Sequence, residues 1–124
     1  MRLHHVQLSC PRGGEAAARR FWVDGIGLTE VSKPAALAGR GGAWFRSAGG
    51  AEVHVGVEEP FAPARKAHPA LLVDDAEALI GLARRLETAG FAPDWSERRS
   101  FDGHERFHVL DAHGNRVEVL APAD

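Results

Sequence analysis

Potential metal ligands recur at matching positions in the two halves of this sequence. His5 and His68 are 63 positions apart, and His54 and Glu118 are 64 positions apart. A long fixed interval of this kind is typical of a duplicated structural unit. Two copies that each supply one ligand near their start and one near their end could close a four-ligand cage. The repeat therefore favours a fold in which two similar units contribute to one metal site.

Each half is predicted to contain one strand, one helix and three further strands, in that order. The bounds come from alternating and helical apolar spacing and from glycine and proline between the runs. The first half is predicted to have strands at 3–10, 28–31, 43–47 and 51–58 and a helix at 14–24. The second is predicted to have strands at 67–73, 91–95, 105–110 and 115–121 and a helix from 74 or 75 to about 89. The result is an α+β fold of two βαβββ modules, residues 1–58 and 67–124, joined by residues 59–66.

The composition is that of one soluble globular domain. The chain has 124 residues, of which 44% are hydrophobic and 26% charged. A net charge of −2 with no basic stripe gives no case for nucleic-acid binding. No apolar segment approaches membrane-spanning length. Cys10 is the only cysteine, which excludes an intrachain disulfide and fits a reducing compartment, so a cytoplasmic location is predicted.

Strand alternation predicts the face of the sheet on which each candidate ligand lies. His5, His54 and Glu118 fall on the polar face of their strands, opposite leucine and valine residues. The contrast is weaker for His68, whose strand is apolar on both faces. The apolar faces would pack against the helices, and the polar faces would line a concave groove.

Three imidazoles and one carboxylate in such a groove suit a divalent cation. Imidazole and carboxylate are ligands of Zn, Ni, Mn and Fe(II), and open coordination positions would admit a substrate oxygen or water. A single strand histidine is more often satisfied locally than bound to metal, so the prediction rests on the repeat spacing and the shared face. His108 is a candidate acid/base or a residue behind the ligands, and Glu52 is a candidate base.

Five motifs spread over nearly the whole chain carry a family resemblance. They are His5-Val6-Gln7-Leu8, Phe21-Trp22 to Gly27-Leu28, residues 67–74, Leu86 to Gly90, and Asp111-Ala112-His113-Gly114-Asn115-Arg116-Val117-Glu118. In these motifs the chain resembles the vicinal oxygen chelate superfamily of glyoxalases, bleomycin-resistance proteins and dioxygenases. The resemblance implies a single glyoxalase-like domain whose two modules curl a mixed sheet around a groove.

The resemblance also implies a site and a partner. It implies a divalent metal held by His5, His54, His68 and Glu118, a small-molecule substrate, and a homodimer. His54 is a departure, because glyoxalase I often has glutamate there. Ser9 replaces the arginine that usually binds the glutathione carboxylate, and Gln7 replaces the threonine usual in fosfomycin-resistance thiol transferases. These two departures argue against both of those activities.

Three functions are compatible with this sequence. The first is a glyoxalase-type lyase or isomerase, with Glu118 or a metal-bound water moving the proton. The second is an iron(II) ring-cleaving dioxygenase, in which His5, His68 and Glu118 form the triad and His54 lies behind it as an acid/base. The third is antibiotic sequestration without catalysis, with aromatic side chains stacking on a planar ligand. The aromatic candidates are Trp44, Phe61, Trp95 and Phe101.

Overall fold

The computed structural model describes residues 1–124 and contains two mixed sheets of matching topology. The first has the order β1-β4-β3-β2, and its strands are β1 (Val6–Cys10), β2 (Thr29–Val31), β3 (Ala43–Arg46) and β4 (Glu52–Val57). The second has the order β5-β7-β6, and its strands are β5 (Ala70–Leu72), β6 (His104–Leu110) and β7 (Arg116–Pro122). β1 runs parallel to β4, and β5 runs parallel to β7. β4 and β7 each pair antiparallel with the strand that precedes them in the chain, β3 and β6. The predicted α+β fold is confirmed.

Two helices pack against these sheets. Helix α1 (Glu15–Arg19) continues as a π-helical segment at Arg20–Gly25, whereas the sequence predicts one continuous helix. Helix α2 (Ala76–Thr88) begins where the Asp75 carboxylate accepts a hydrogen bond from the Ala78 N–H, as an N-cap does. Neither helix has the length or apolar character needed to cross a bilayer.

The predicted strand at 91–95 is wrong. Only Asp94 makes a bridge, to His108. Pro93 has no N–H to donate to a ladder, which explains why pairing does not extend along this segment. The predicted loop at 32–42 contains a 3₁₀ helix, Ala35–Arg40.

The core contains side chains from both halves of the chain. Phe21, Trp22, Phe45 and Phe107 are fully buried, and burying an aromatic side chain of this size contributes about 2–3 kcal/mol. The valines of β4 and β7 that flank His54 and Glu118 belong to the same core: Val53, Val55, Val117 and Val119. The predicted alternation is therefore confirmed on these strands, and the ligand candidates lie on the face turned away from the core.

The turn at residues 111–115 ties the second half of the chain to the first. His113 Nε2 lies 2.8 Å from the Gly14 carbonyl oxygen, and the Asn115 amide donates to the Ser9 carbonyl at 2.8 Å. The Asn115 side-chain oxygen also accepts from the Ala64 N–H at 3.0 Å. These bonds hold β1 and the junction segment against the hairpin that carries Glu118.

Candidate metal centre

His68 precedes β5 and is held in a defined orientation. Its Nδ1 lies 2.7 Å from the Lys66 carbonyl oxygen, and a carbonyl can only accept, so Nδ1 carries the proton. In the neutral ring Nε2 is then a bare acceptor, and it lies 3.0 Å from Glu118 Oε2. Two acceptors at this distance require a proton or a cation between them. A carbonyl that orients the far nitrogen of a histidine is a common arrangement behind metal-binding imidazoles.

Glu118 lies at the centre of the second sheet, between Ala70 on β5 and His108 on β6. Its Oε1 accepts a hydrogen bond from Arg106 Nη1 at 3.1 Å, which leaves Oε2 facing the two histidines. Burial alone would raise the pKa of Glu118, which is only 4% exposed, but the Arg106 guanidinium, which donates to Oε1, and the two neighbouring histidines together outweigh burial and lower it. The carboxylate is therefore ionised at neutral pH, as a metal ligand must be.

His108 completes a cluster of three possible ligands. One ligand atom from each of His68, His108 and Glu118 lies within 4.8 Å of the others, and the chain has no second cluster of this kind. Burial, and after it the positive charge of Arg116, lowers the pKa of His108, so its ring is neutral at pH 7. Two neutral imidazoles and an ionised carboxylate are a donor set that fits a divalent cation. The predicted hairpin, with a turn at residues 111–114, pairs Leu110 with residue 115 and therefore puts Phe107 opposite Glu118. In the structure Leu110 pairs with Arg116, and this shift of one residue places His108 opposite Glu118.

His5 and His54 form a separate pair in the first sheet. The His54 ring is stacked between Trp44, at a centroid distance of 3.8 Å, and His5, at 4.0 Å. His54 Nε2 lies 2.9 Å from Glu52 Oε1, and Arg46 donates to the other oxygen of Glu52 at 3.2 Å. Glu52, a candidate base in the sequence, is therefore engaged by two neighbours.

The four predicted ligands thus lie in two contacting pairs, His5 with His54 and His68 with Glu118. The first pair is outside the cluster that contains the second. His5, Glu52 and His68 nevertheless line one cavity of about 310 Å³, which includes residues from both halves. The four-ligand cage stays a prediction.

Arg106 connects Glu118 to the loop at 96–103. Its guanidinium donates to Glu118 and, at 2.6 Å, to the Ser100 hydroxyl, and it lies over the Phe101 ring at 5.6 Å. The backbone N–H of Arg106 also donates to the Arg98 carbonyl at 3.1 Å. One partly exposed cation therefore orients the carboxylate and fixes the loop beside it.

The aromatic candidates for ligand stacking each have a packing partner of their own. Trp95 packs on Phe107, Phe61 meets the edge of His113, and Phe101 meets the edge of His104. Trp44 covers His54. A stacking cleft for a planar antibiotic stays a prediction.

Sheet topology and donor set together define the class of protein. The chain belongs to the Glyoxalase/Bleomycin resistance protein/Dioxygenase superfamily, whose family model matches residues 2–119. It is similar to a structure from Bacillus anthracis assigned to the glyoxalase family, with 36% identity, 99% of this chain and 96% of the other covered, and a TM-score of 0.88. No curated protein matches it.

Two more distant structures share the fold. One is the fosfomycin resistance protein FosX from Listeria monocytogenes, with 14% identity, 100% and 93% coverage and a TM-score of 0.71. The other is a glyoxalase/dioxygenase from Nostoc punctiforme, with 18% identity, 99% and 92% coverage and a TM-score of 0.76. At these identities the likeness concerns the fold alone.

Proposed function

We propose that this protein is a metal-dependent enzyme of the glyoxalase type, which carries out lyase or isomerase chemistry on a small oxygen-bearing substrate. The proposed ligands are His5, His54, His68 and Glu118, with His108 beside them. The cation is Zn, Ni, Mn or Fe, the metals that imidazole and carboxylate ligands suit.

The observation that carries the proposal is the approach of His68 Nε2 to Glu118 Oε2 at 3.0 Å while Nδ1 is engaged by a carbonyl. A purely structural ion pair would need only a protonated His68. It would not need a second imidazole, His108, turned to the same oxygen at 3.6 Å. A cation accounts for all three groups at once.

The chain supplies the groups that the chemistry needs. A divalent cation in this site would act as a Lewis acid on substrate oxygens. Glu118 is the proposed catalytic residue. Arg106 holds its Oε1, so Oε2, which faces His68 and His108, is the oxygen that would take a proton. His108, neutral and adjacent, is the second group able to move a proton.

We also propose a homodimer. Leu72 and Leu110 lie on the ligand-bearing face of the second sheet, where they are 66% and 58% exposed. A second copy over this face would bury them, and it could bring its own His5 to the cluster. Mixing His5→Ala with Glu118→Ala protein tests this, since a site shared between chains regains part of its metal binding in the mixed dimer. A site within one chain regains none.

The cytoplasmic location likewise remains a proposal, supported by the single cysteine.

The decisive test is metal analysis of protein purified without an affinity tag. We expect about one divalent ion per site in the wild type and its loss in Glu118→Ala, because a buried charged ligand has no substitute there. His104→Ala is the matched control, since its ring bonds only to the Asp102 carbonyl, at 3.3 Å. If the wild-type protein binds none of the four metals, the cluster is a structural ion pair and the proposal is wrong.

An iron(II) ring-cleaving dioxygenase is the second candidate, and the cluster itself favours it. Two histidines and one carboxylate with open positions are the ligand set of non-haem iron oxygenases. In the predicted triad His5 accompanies His68 and Glu118, whereas in the structure His108 does. Oxygen consumption by the iron-loaded protein with catechols would support this candidate, and its absence across a catechol series would remove it.

A further inference from the structure

A second cavity opens on the ligand-bearing face of the first sheet. It has a volume of about 280 Å³ and lies between β1, β3, β4 and the 3₁₀ helix. Its wall includes Trp44, the same ring that stacks on His54. The cavity therefore adjoins the row of predicted metal ligands in this module.

Glycine at position 56 creates the space. In the strand registers, Gly56 occupies the place in β4 that Leu120 occupies in β7, two residues beyond the ligand candidate. The Gln7 amide lies over Gly56, where a Cβ would come within 2.7 Å of its nitrogen. The backbone of Gln7 belongs to the β1–β4 ladder, but its side-chain amide has no hydrogen-bond partner in the protein and can bind a ligand.

Two cations line this cavity, and no carboxylate does. Arg40, at the end of the 3₁₀ helix, makes no ion pair or hydrogen bond, and Lys33 donates only to the Gly41 carbonyl. Glu15 is nearby, but it accepts from the Gly42 N–H at 3.0 Å and is not part of the lining. Leu37 and Trp44 give the remaining wall an apolar character.

We propose that this cavity binds the carboxylate of a small organic acid. Arg40, Lys33 and Gln7 hold the carboxylate, and the apolar body of the acid packs on Leu37 and Trp44. A guanidinium that is otherwise unpaired is well suited to a bidentate bond with a carboxylate. The inference rests on the proposed function only in taking this acid as the substrate; the binding itself does not require a metal.

The probes are benzoate and its neutral isostere benzamide, titrated into metal-free, tag-free full-length protein and followed by nitrogen–proton NMR. We expect benzoate to bind about tenfold more tightly than benzamide and to shift the Gly41 amide and Trp44 indole signals. Arg40→Gln should weaken benzoate about tenfold and leave benzamide unchanged. Arg84→Gln, on the exposed surface of α2, is the matched control and should change neither.

Other results overturn the proposal. Equal affinity for the two probes, benzoate affinity unchanged in Arg40→Gln, or no shift at Gly41 and Trp44 would each do so. His68→Ala separates this proposal from the proposed function. We expect this variant to lose metal yet bind benzoate with wild-type affinity. Failure of metal binding alone therefore leaves the acid site standing, and failure of benzoate binding alone leaves the metal site standing.

Discussion

The ligand-bearing faces of the two sheets share a topology but are occupied differently. In the second sheet, Arg106 and Leu120 stand beside Glu118, and polar contacts link this face to its loop. At the corresponding positions the first sheet has Gly42 and Gly56 and an open cavity. A Cβ at Gly42 would lie 2.1 Å from the Val55 carbonyl oxygen, so no side chain fits there. The comparison supports our proposals that the second face supplies the most closely grouped metal ligands and that the first face accepts the acid.

The covering loops differ in the same way. In the second half the Arg106 guanidinium fixes the loop, and its charge does not change with pH. In the first half Glu15 and Lys33 bond to the backbone of Gly41 and Gly42. The comparison therefore predicts that the two halves respond differently to the deletion of a metal-ligand side chain, to the filling of the cavity and to a fall in pH.

The largest expected effect is on metal affinity when matching histidines are deleted. His68→Ala should weaken metal binding on the order of a hundredfold or more, because even the partners behind a ligand are worth 10–100-fold. His54→Ala should cost about tenfold, since its Nε2 is already engaged by Glu52. Competition titration with a chelating dye measures both. Equal losses of metal affinity in the two variants would contradict the inference that the second half holds the metal more tightly than the first.

Arg106→Lys should give the next largest effect. Lysine keeps the charge but not the fork that reaches Glu118 and Ser100 together, so metal affinity should fall about tenfold. Arg46→Lys, which changes the cation beside Glu52 in the first sheet, is the matched control and should have little effect. The same titration decides, and an Arg106→Lys protein with wild-type affinity would show that Arg106 serves only the loop.

Gly56→Leu would make the first sheet resemble the second. The new side chain displaces the flexible Gln7 amide and fills the cavity, so benzoate affinity should fall about tenfold while metal affinity is unchanged. A stability cost of about 1–3 kcal/mol is expected from overpacking. Parallel benzoate and metal titrations test this, and a combined loss of both would indicate a single undivided site.

The smallest expected effect is the acid response of the first loop. The Gly42 N–H holds the pKa of Glu15 below its ordinary value of 4.5. The stabilisation is therefore complete above pH 4.5 and is lost as the pH falls through the lowered pKa. Glu15→Gln should cost about 1 kcal/mol at pH 7 and less in acid. Urea unfolding of the wild type and the variant, at pH 7 and again at a pH below 4.5, measures this difference in the free energy of unfolding.

Glu59→Gln is the control for the acid response. Glu59 is paired with Arg12 on the exposed surface, where solvent screens the interaction, so little change is expected. A loss in Glu15→Gln that did not depend on pH would assign the effect to packing.

Much of the site was predictable because its signals are local. Alternation along β1, β4 and β7 identified which face of each strand turns from the core. Asp75 as an N-cap and Gly90 after the C-terminus predict the helix at Ala76–Thr88. The strand expected at 91–95 failed because Pro93 cannot join a ladder. The full role of His108 and Arg106 could not be predicted, since their contacts depend on side-chain reach across a hairpin and onto a loop.

By itself the sequence determined the duplicated pattern, the family and which residue of each strand turns from the core, because alternation and repeat spacing are properties of the chain order. Only the tertiary structure decided which ligands meet. Contact between His68, His108 and Glu118 needs strands that are distant in the chain to align in register. The open cavity likewise depends on Gly56 lying beneath Gln7 and facing a loop that carries Arg40.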